Sequence, residues 1–264
     1  MPRPHTPKLS RLLASLLLAG AVLWLAASLW NQEPSTYVWE WRRAIRYVGF
    51  FGIEGFVAGP LLLGLGVTLR IVGAALMVSV FLGLVAAVLR HGPSYTGRGL
   101  ALVYVGLVRN TPLLIQLFAV YFVLAPVLHL SPFWAAVLTL AAFEGAYMAE
   151  IFRAGLNSVP QGQKDAAVSL GLPRRQSFFA VILPQAVRRV LPPLTSQTVS
   201  LIKDSALVSA IALPDLTMQA QATIAETFLS LELWLLVAGI YLVLTLLVSL
   251  PALWLEKHFA WKWL

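Results

Sequence analysis

The sequence contains no cysteine, so neither a disulfide framework nor a thiolate metal site is open to it. Its four histidines, His5, His91, His129 and His258, make no His-x-x-His or His-Glu-x-x-His spacing, and no metal centre is expected. There is no Gly-x-x-x-x-Gly-Lys-Ser/Thr loop, which excludes ATP hydrolysis by a phosphate-cradling turn of this chain. A Gly-x-x-x-Asp spacing, such as an intramembrane hydrolase would use, is also missing. Charge is scarce: 11% of residues are Asp, Glu, Lys or Arg, against about 25% in soluble domains. No low-complexity tract or readable internal repeat occurs.

Apolar surface stands in place of charge. Hydrophobic residues make up 59% of the 264, whereas ordinary domains hold roughly 45–50%. A single soluble core would leave large apolar patches exposed, so the bilayer is the simpler solvent. Six runs approach the roughly 20 apolar residues that a spanning helix needs: 10–30, 59–89, 100–126, 132–152, 190–213 and 232–255. The expected fold is an all-α, polytopic integral membrane protein of about six transmembrane helices.

The net charge of +8 does not point to nucleic acid, because the cations lie in short clusters between apolar runs. Such clusters keep Lys and Arg on the cytoplasmic side. With the amino terminus inside, thirteen of nineteen cations face the cytoplasm: Arg3, Lys8, Arg11, Arg90, Arg98, Arg153, Lys164, Arg174, Arg175, Arg188, Arg189, Lys257 and Lys262. Only Arg42, Arg43 and Arg46 face outward. The reading therefore places residues 1–30 as a cytoplasmic tail and anchor helix and 31–58 as an extracytoplasmic loop. Residues 59–256 form the membrane domain and 257–264 a cytoplasmic tail. The first run ends in Ala26-Ala-Ser-Leu-Trp-Asn31, not in a small-x-small cleavage site, which favours a retained helix over a leader. Tyr37-Val-Trp-Glu-Trp-Arg-Arg-Ala-Ile-Arg-Tyr47 mixes rings and cations, as a helix lying in the outer interface does.

The longest polar interruption, about 156–188, is cytoplasmic. Pro160 and Gly162 break the incoming helix, and Asp165 is expected in the first turn of the next, where a carboxylate favours the helix dipole. Gly171 suits a left-handed stop, Pro173 a helix start and Pro184 a helix end or kink. The result is two short helices around a sharp turn. Ala166 and Ala167 would let a partner backbone approach, while Leu170, Phe178, Phe179 and Ile182 supply apolar anchors for a groove on another protein.

The spacing of this loop, Asp165-Ala-Ala, three residues, Gly171, nine residues, Val181-Ile-Leu183-Pro184, resembles the coupling motif of ABC-importer permeases. Asp165 stands where that family has Glu and Val181 where it has Ile. The stretches Gly66-Val-Thr-Leu-Arg70, Arg109-Asn-Thr-Pro-Leu-Leu-Ile-Gln116, Ala146-Tyr-Met-Ala-Glu-Ile-Phe-Arg-Ala-Gly155 and Ser200-Leu-Ile-Lys-Asp-Ser205 resemble the polar amino acid branch. The resemblance covers about residues 60–255. It implies a five-helix permease core in the cell inner membrane and a pore made with a second permease chain, identical or related. It further implies two cytoplasmic ATPase subunits that bind the ATP and Mg, and an extracytoplasmic amino acid-binding protein. This chain would hold no cofactor. Asp165, Ala166, Ala167, Leu170, Gly171, Leu183 and Pro184 would form the ATPase-coupling surface.

Charges at bilayer depth cost about 2.5–3.5 kcal/mol even on insertion scales and so usually face protein or a path. Arg109, Glu144, Lys203 and Asp204 qualify by position, while Arg70 and Glu150 lie nearer an interface. The substrate-lining expectation is Arg109 and Thr111 with Asp204 and Ser205, and Glu144 and Lys203 behind them. Lys203 and Asp204 are adjacent, about 100° apart on a helix, so they cannot share a face. Mutual neutralisation, Arg109 with Glu144 or Lys203 with Asp204, is the competing role. Under the same resemblance the cargo could instead be an opine or another small organic ion. An ion-coupled secondary carrier would use the buried charges but leave the cytoplasmic loop without a purpose.

Overall fold

The computed structural model describes Gly20, residues 37–52 and residues 55–260, with side chains as far as Trp254. The expected anchor at 10–30, the cations Arg3, Lys8 and Arg11, residues 31–36, the Lys257 side chain and Lys262 lie outside the described residues. Residues 1–39 group as one unit, in which the rings of Tyr37 and Trp39 meet edge to face at 5.2 Å. Everything below belongs to the second unit, Glu40–Leu264.

That unit opens with one helical turn, α1 (Trp41–Ala44), and a 3₁₀ turn, Ile45–Tyr47. The expected interfacial helix is thus cut short, and an antiparallel hairpin follows, β1 (Gly49–Gly52) and β2 (Gly55–Ala58), with Phe50 opposite Val57 and Phe51 opposite Phe56. The sequence reading did not foresee these strands. Glycine at positions 49, 52 and 55 disfavours helix continuation, and the Gly55 backbone at φ +116° is one that glycine adopts freely.

Among the described residues three helices are long and apolar enough to span: α2 (Pro60–His91), α6 (Pro132–Asn157) and α11 (Ser230–Ala260) over its first 25 residues. The third expected span is broken. Helix α3 (Tyr95–Arg109) meets α4 (Leu113–Phe118) and α5 (Ala125–Leu128) at a bend of 107°. Pro112 has no N–H to donate and excludes helical backbone in the residue before it, which is why the break falls at 110–112. The amide of Gln116 ties the two arms together, donating to Val108 O at 2.7 Å and Thr111 Oγ1 at 2.7 Å.

Beyond α6 come α7 (Gln161–Ser169), α8 (Arg174–Gln176) and α9 (Leu183–Asp204). The expected span 190–213 is divided: α9 ends at Asp204, a 3₁₀ segment covers Ser205–Ile211, and Ala212 is left-handed. Asp215 then caps α10 (Leu216–Thr227), its Oδ1 accepting from Met218 N at 2.8 Å. Pro184 does not end the helix: it lies in the first turn of α9, directly after a π-helical stretch, Ser177–Ile182. A second π stretch, Ala119–Leu124, precedes Pro126 in the same way. A widened turn accommodates a ring that lacks an N–H and would clash with the carbonyl four residues back.

Helix α6 is the central element and the most buried of the three spans, while α11 is the least buried. The main core joins Ile71 and Ala75 of α2, Leu117 of α4, Ala136 and Leu140 of α6 and Leu201 of α9. Gly83 permits the tight crossing of α2 on α6: a Cβ there would lie 2.8 Å from Met148 Cβ. Gly64 plays the same part against Asp215, whereas Gly66 and Gly73 have open space beside them. The orientation predicts a labelling contrast. A cysteine at exposed Arg46 should react with an impermeant thiol reagent in intact cells, and one at Tyr95, 88% exposed, only after lysis. Reaction at Tyr95 in intact cells would invert the topology.

Candidate substrate path and partner-docking loop

Halfway along α6, Glu144 is fully buried. Gln197 of α9 donates its amide to Glu144 Oε2, and the Asp204 carboxyl lies within electrostatic reach of the same group. Glu144 Oε1 has no hydrogen-bond partner among the described residues. The structure thus brings two of the expected site residues, Glu144 and Asp204, within electrostatic reach of each other, while Gln197 holds Glu144. Lys203 influences Asp204 electrostatically but is itself exposed, as the angular offset of neighbouring helix positions requires. Ser205 is buried and donates back to Ile202 O at 2.7 Å, which occupies its proton inside the 3₁₀ turn.

Arg109 is elsewhere. Its guanidinium lies over the Tyr147 ring at 5.0 Å and 3.8 Å from Glu150, and it does not pair with Glu144. Arg90 also bonds Glu150, as does Arg153 at 2.7 Å. Glu144 and Glu150 are six residues apart, about 9 Å along the helix axis. Within this chain the structure does not bring Arg109 and Thr111 beside Asp204 and Ser205: Arg109 lies toward the Asn157 end of α6, where a single carboxylate draws in three cations. Arg109, Glu150, Arg153, Ser158 and Arg189 line an open cleft of about 620 Å³ there. Thr111 has a structural task at the bend, donating to Leu107 O at 2.9 Å and accepting from Gln116.

Helix α9 carries Thr195, Gln197, Thr198 and Ser200 half-buried along its length, with Ser209 following in the 3₁₀ segment. It is too polar to be covered by lipid, and the described residues cover it only in part. Sequence reasoning names Glu144 and Asp204 but not Gln197, although an amide inside a membrane-spanning segment is itself a signal for an internal partner.

The loop after α6 is a helix, a left-handed glycine and a second helix. Pro160 caps α7, so Asp165 falls in its second turn, not its first, where Gln161 Nε2 donates to it at 2.9 Å. Gly171 has φ +72°. Around it Gly171 N donates to Val168 O at 2.9 Å and Leu172 N to Ala167 O at 3.1 Å, satisfying carbonyls at the helix end. Pro173 caps α8 from just outside. Ala167 is buried within the chain, so of the two alanines only Ala166 is open to a partner. Leu170 is 80% exposed, and Val168 and Phe179 project with it. Leu183 is half-buried and Pro184 exposed.

Residues 79–261 match the family described as binding-protein-dependent transport system inner membrane component. The glutamine transport system permease protein GlnP of Escherichia coli is 39% identical over 203 residues, 75% of this chain and 93% of its own. The arginine transport system permease protein ArtQ of Bacillus subtilis is 36% identical over 188 residues, 70% and 86% of the two chains. A solved structure described as an amino acid ABC transporter with histidines superimposes with a TM-score of 0.75 at 31% identity, over 84% of this chain and 100% of that one. The MetNI methionine ABC transporter shares the fold, with a TM-score of 0.57 at 18% identity.

Proposed function

This chain belongs to the inner membrane components of binding-protein-dependent transport systems, and from that membership we propose that it carries polar amino acids inward through a path centred on Glu144, Gln197 and Asp204. Membership makes it a transport subunit, not an enzyme, in the inner membrane, working with an ATPase and a binding protein.

The observation that carries the cargo reading is the pair of carboxyl groups at mid-membrane with one amide between α6 and α9. Two neighbouring carboxylates in a low dielectric repel each other, and a cation offsets that repulsion. The ammonium of an amino acid is such a cation. Its carboxylate needs a donor, and Ser200, half-buried one turn before Asp204 on the same face of α9, offers one. The permease names of the relatives, glutamine and arginine, agree with a zwitterionic or cationic cargo.

The uncovered polar side of α9 supports a second permease chain, identical or related, completing the path. The exposed Val168, Leu170 and Phe179 on a fixed helix–turn–helix support seating in a cleft of each of two ATPase subunits. ATP and Mg would bind those partners, and this chain would hold no cofactor.

Transport in proteoliposomes tests the proposal. Uptake of labelled glutamine or arginine should require internal ATP, the ATPase and the binding protein together. Uptake driven by an ion gradient without them would replace the importer by a secondary carrier. ATP-driven uptake of an organic anion alone would keep the machine and remove the amino acid.

A further inference from the structure

The hairpin Gly49–Ala58 lies ahead of the residues that match the family, and it is apolar on both faces. Side chains alternate across a strand, so Phe50 and Val57 share one face and Phe51 and Phe56 the other. All four are exposed, Phe51 at 85%. The Phe51 and Phe56 rings meet edge to face at 5.5 Å. A protein partner covers one face of such a hairpin, whereas a fluid apolar medium covers both. An isolated two-stranded hairpin is marginal in water, and the described residues leave these side chains 44% to 85% exposed.

Three further observations fix the medium. Only Gly59 separates the hairpin from Pro60, the first residue of the spanning helix α2, and Gly59 N donates to Val48 O at 2.9 Å, so the hairpin is tied to the outer end of the span. Arg42, Arg43 and Arg46, all exposed, stand in the turns just before it, and they are the outward cations of the described residues. Lastly, the outer strand edges carry N–H and C=O groups that hydrocarbon cannot satisfy. The hairpin therefore belongs at the boundary of headgroups and acyl chains.

We propose that residues 41–52 and 55–58 form a lipid-binding foot on the outer leaflet, with the Phe50, Phe51, Phe56 and Val57 side chains immersed in acyl chains and Arg42 and Arg46 paired with lipid phosphates, while Arg43 pairs with Glu40 at 3.2 Å. The foot sets the depth and tilt of α2 at its outer end. Interfacial segments of this kind sit about 5–10 Å below the headgroup surface, within reach of a phenylalanine ring.

Because the chain has no cysteine, single nitroxide labels are specific without prior removal of thiols. The test places them at Phe50→Cys and Phe51→Cys, one per face, in the assembled complex in nanodiscs. Leu242→Cys serves as the lipid reference and Tyr95→Cys, 88% exposed, as the aqueous one. At both hairpin positions oxygen should relax the label more strongly than a water-soluble nickel chelate does, as at Leu242 and the reverse of Tyr95. Uptake by each labelled complex in proteoliposomes shows that it is folded. Nickel access at either face as high as at Tyr95 overturns the proposal. So does protection from both reagents, which means burial in protein, or protection of one face that appears only when the binding protein is added.

Discussion

A Gly171→Val chain should insert and assemble in the membrane but lose nearly all uptake. At φ +72° a Cβ meets the following carbonyl, at a cost of roughly 1–2 kcal/mol for an ordinary residue and more for a β-branched one. Space around Gly171 is open, with nothing within 4 Å of an added Cβ, so the penalty lies in the backbone and not in packing. The turn relieves it by rotating out of the left-handed region. That breaks the pair of bonds from Gly171 N and Leu172 N and turns Leu170 away from its presented direction. The helices of the membrane core do not depend on this turn. Protein amount should therefore stay near wild type, while ATPase recruitment or ATP-coupled uptake falls. Gly171→Asn, which tolerates positive φ better, should retain part of the uptake. Normal uptake and recruitment in the valine variant would falsify the coupling role of the loop.

The second large effect is expected at Asp204. Asp204→Asn keeps the shape and hydrogen-bonding reach but removes one of two neighbouring carboxyl charges. If the pair holds the ammonium of the cargo, uptake drops at saturating binding protein while assembly and resting ATPase activity survive. Removing one partner of a buried charge pair costs about 3–5 kcal/mol, which corresponds to at least a hundredfold loss of affinity. Asp204→Glu should restore some uptake. A different result follows if Asp204 only neutralises Lys203. The asparagine variant then leaves Lys203 unpaired, assembled protein falls in step with uptake, and Lys203→Met rescues it. Parallel loss with such rescue removes Asp204 from the path.

Local signals in the sequence were read well because they act over a few residues. Gly171 and Pro112 each announce a backbone state that few residues other than glycine adopt, or that proline alone imposes, and both states are present. Offsets of one turn arose where a cap and a first helical residue compete, as at Pro160 and Asp165. Pairing over long separations was not legible. Gln197 and Glu144 are 53 residues apart, and nothing on either helix says which carboxylate a given amide will meet. For the same reason Arg109 was set beside Asp204, when the choice among Glu144 and Glu150 depends on where the bend after α3 directs its last turn. The hairpin was hidden by composition. Four apolar side chains on two short strands carry no polar alternation, because neither face is meant for water.

The bend itself has a mechanical consequence. Tyr95 starts α3 beside the His91 end of α2, and α3 packs on α6 through Ala101 and Val105. Beyond Pro112 the chain leaves at 107°, held by the Gln116 amide across the corner. An arm pinned at such a corner has the geometry of a bell crank: a push along α3 would reach α4 as a sideways swing, with little motion along the axis of α4. Leu117 of α4 shares the main core with Leu140, one turn along α6 from Glu144. Such a push would arrive near the level of buried Glu144 as a lateral squeeze, with the travel set by the length of the short arm, Leu113–Phe118.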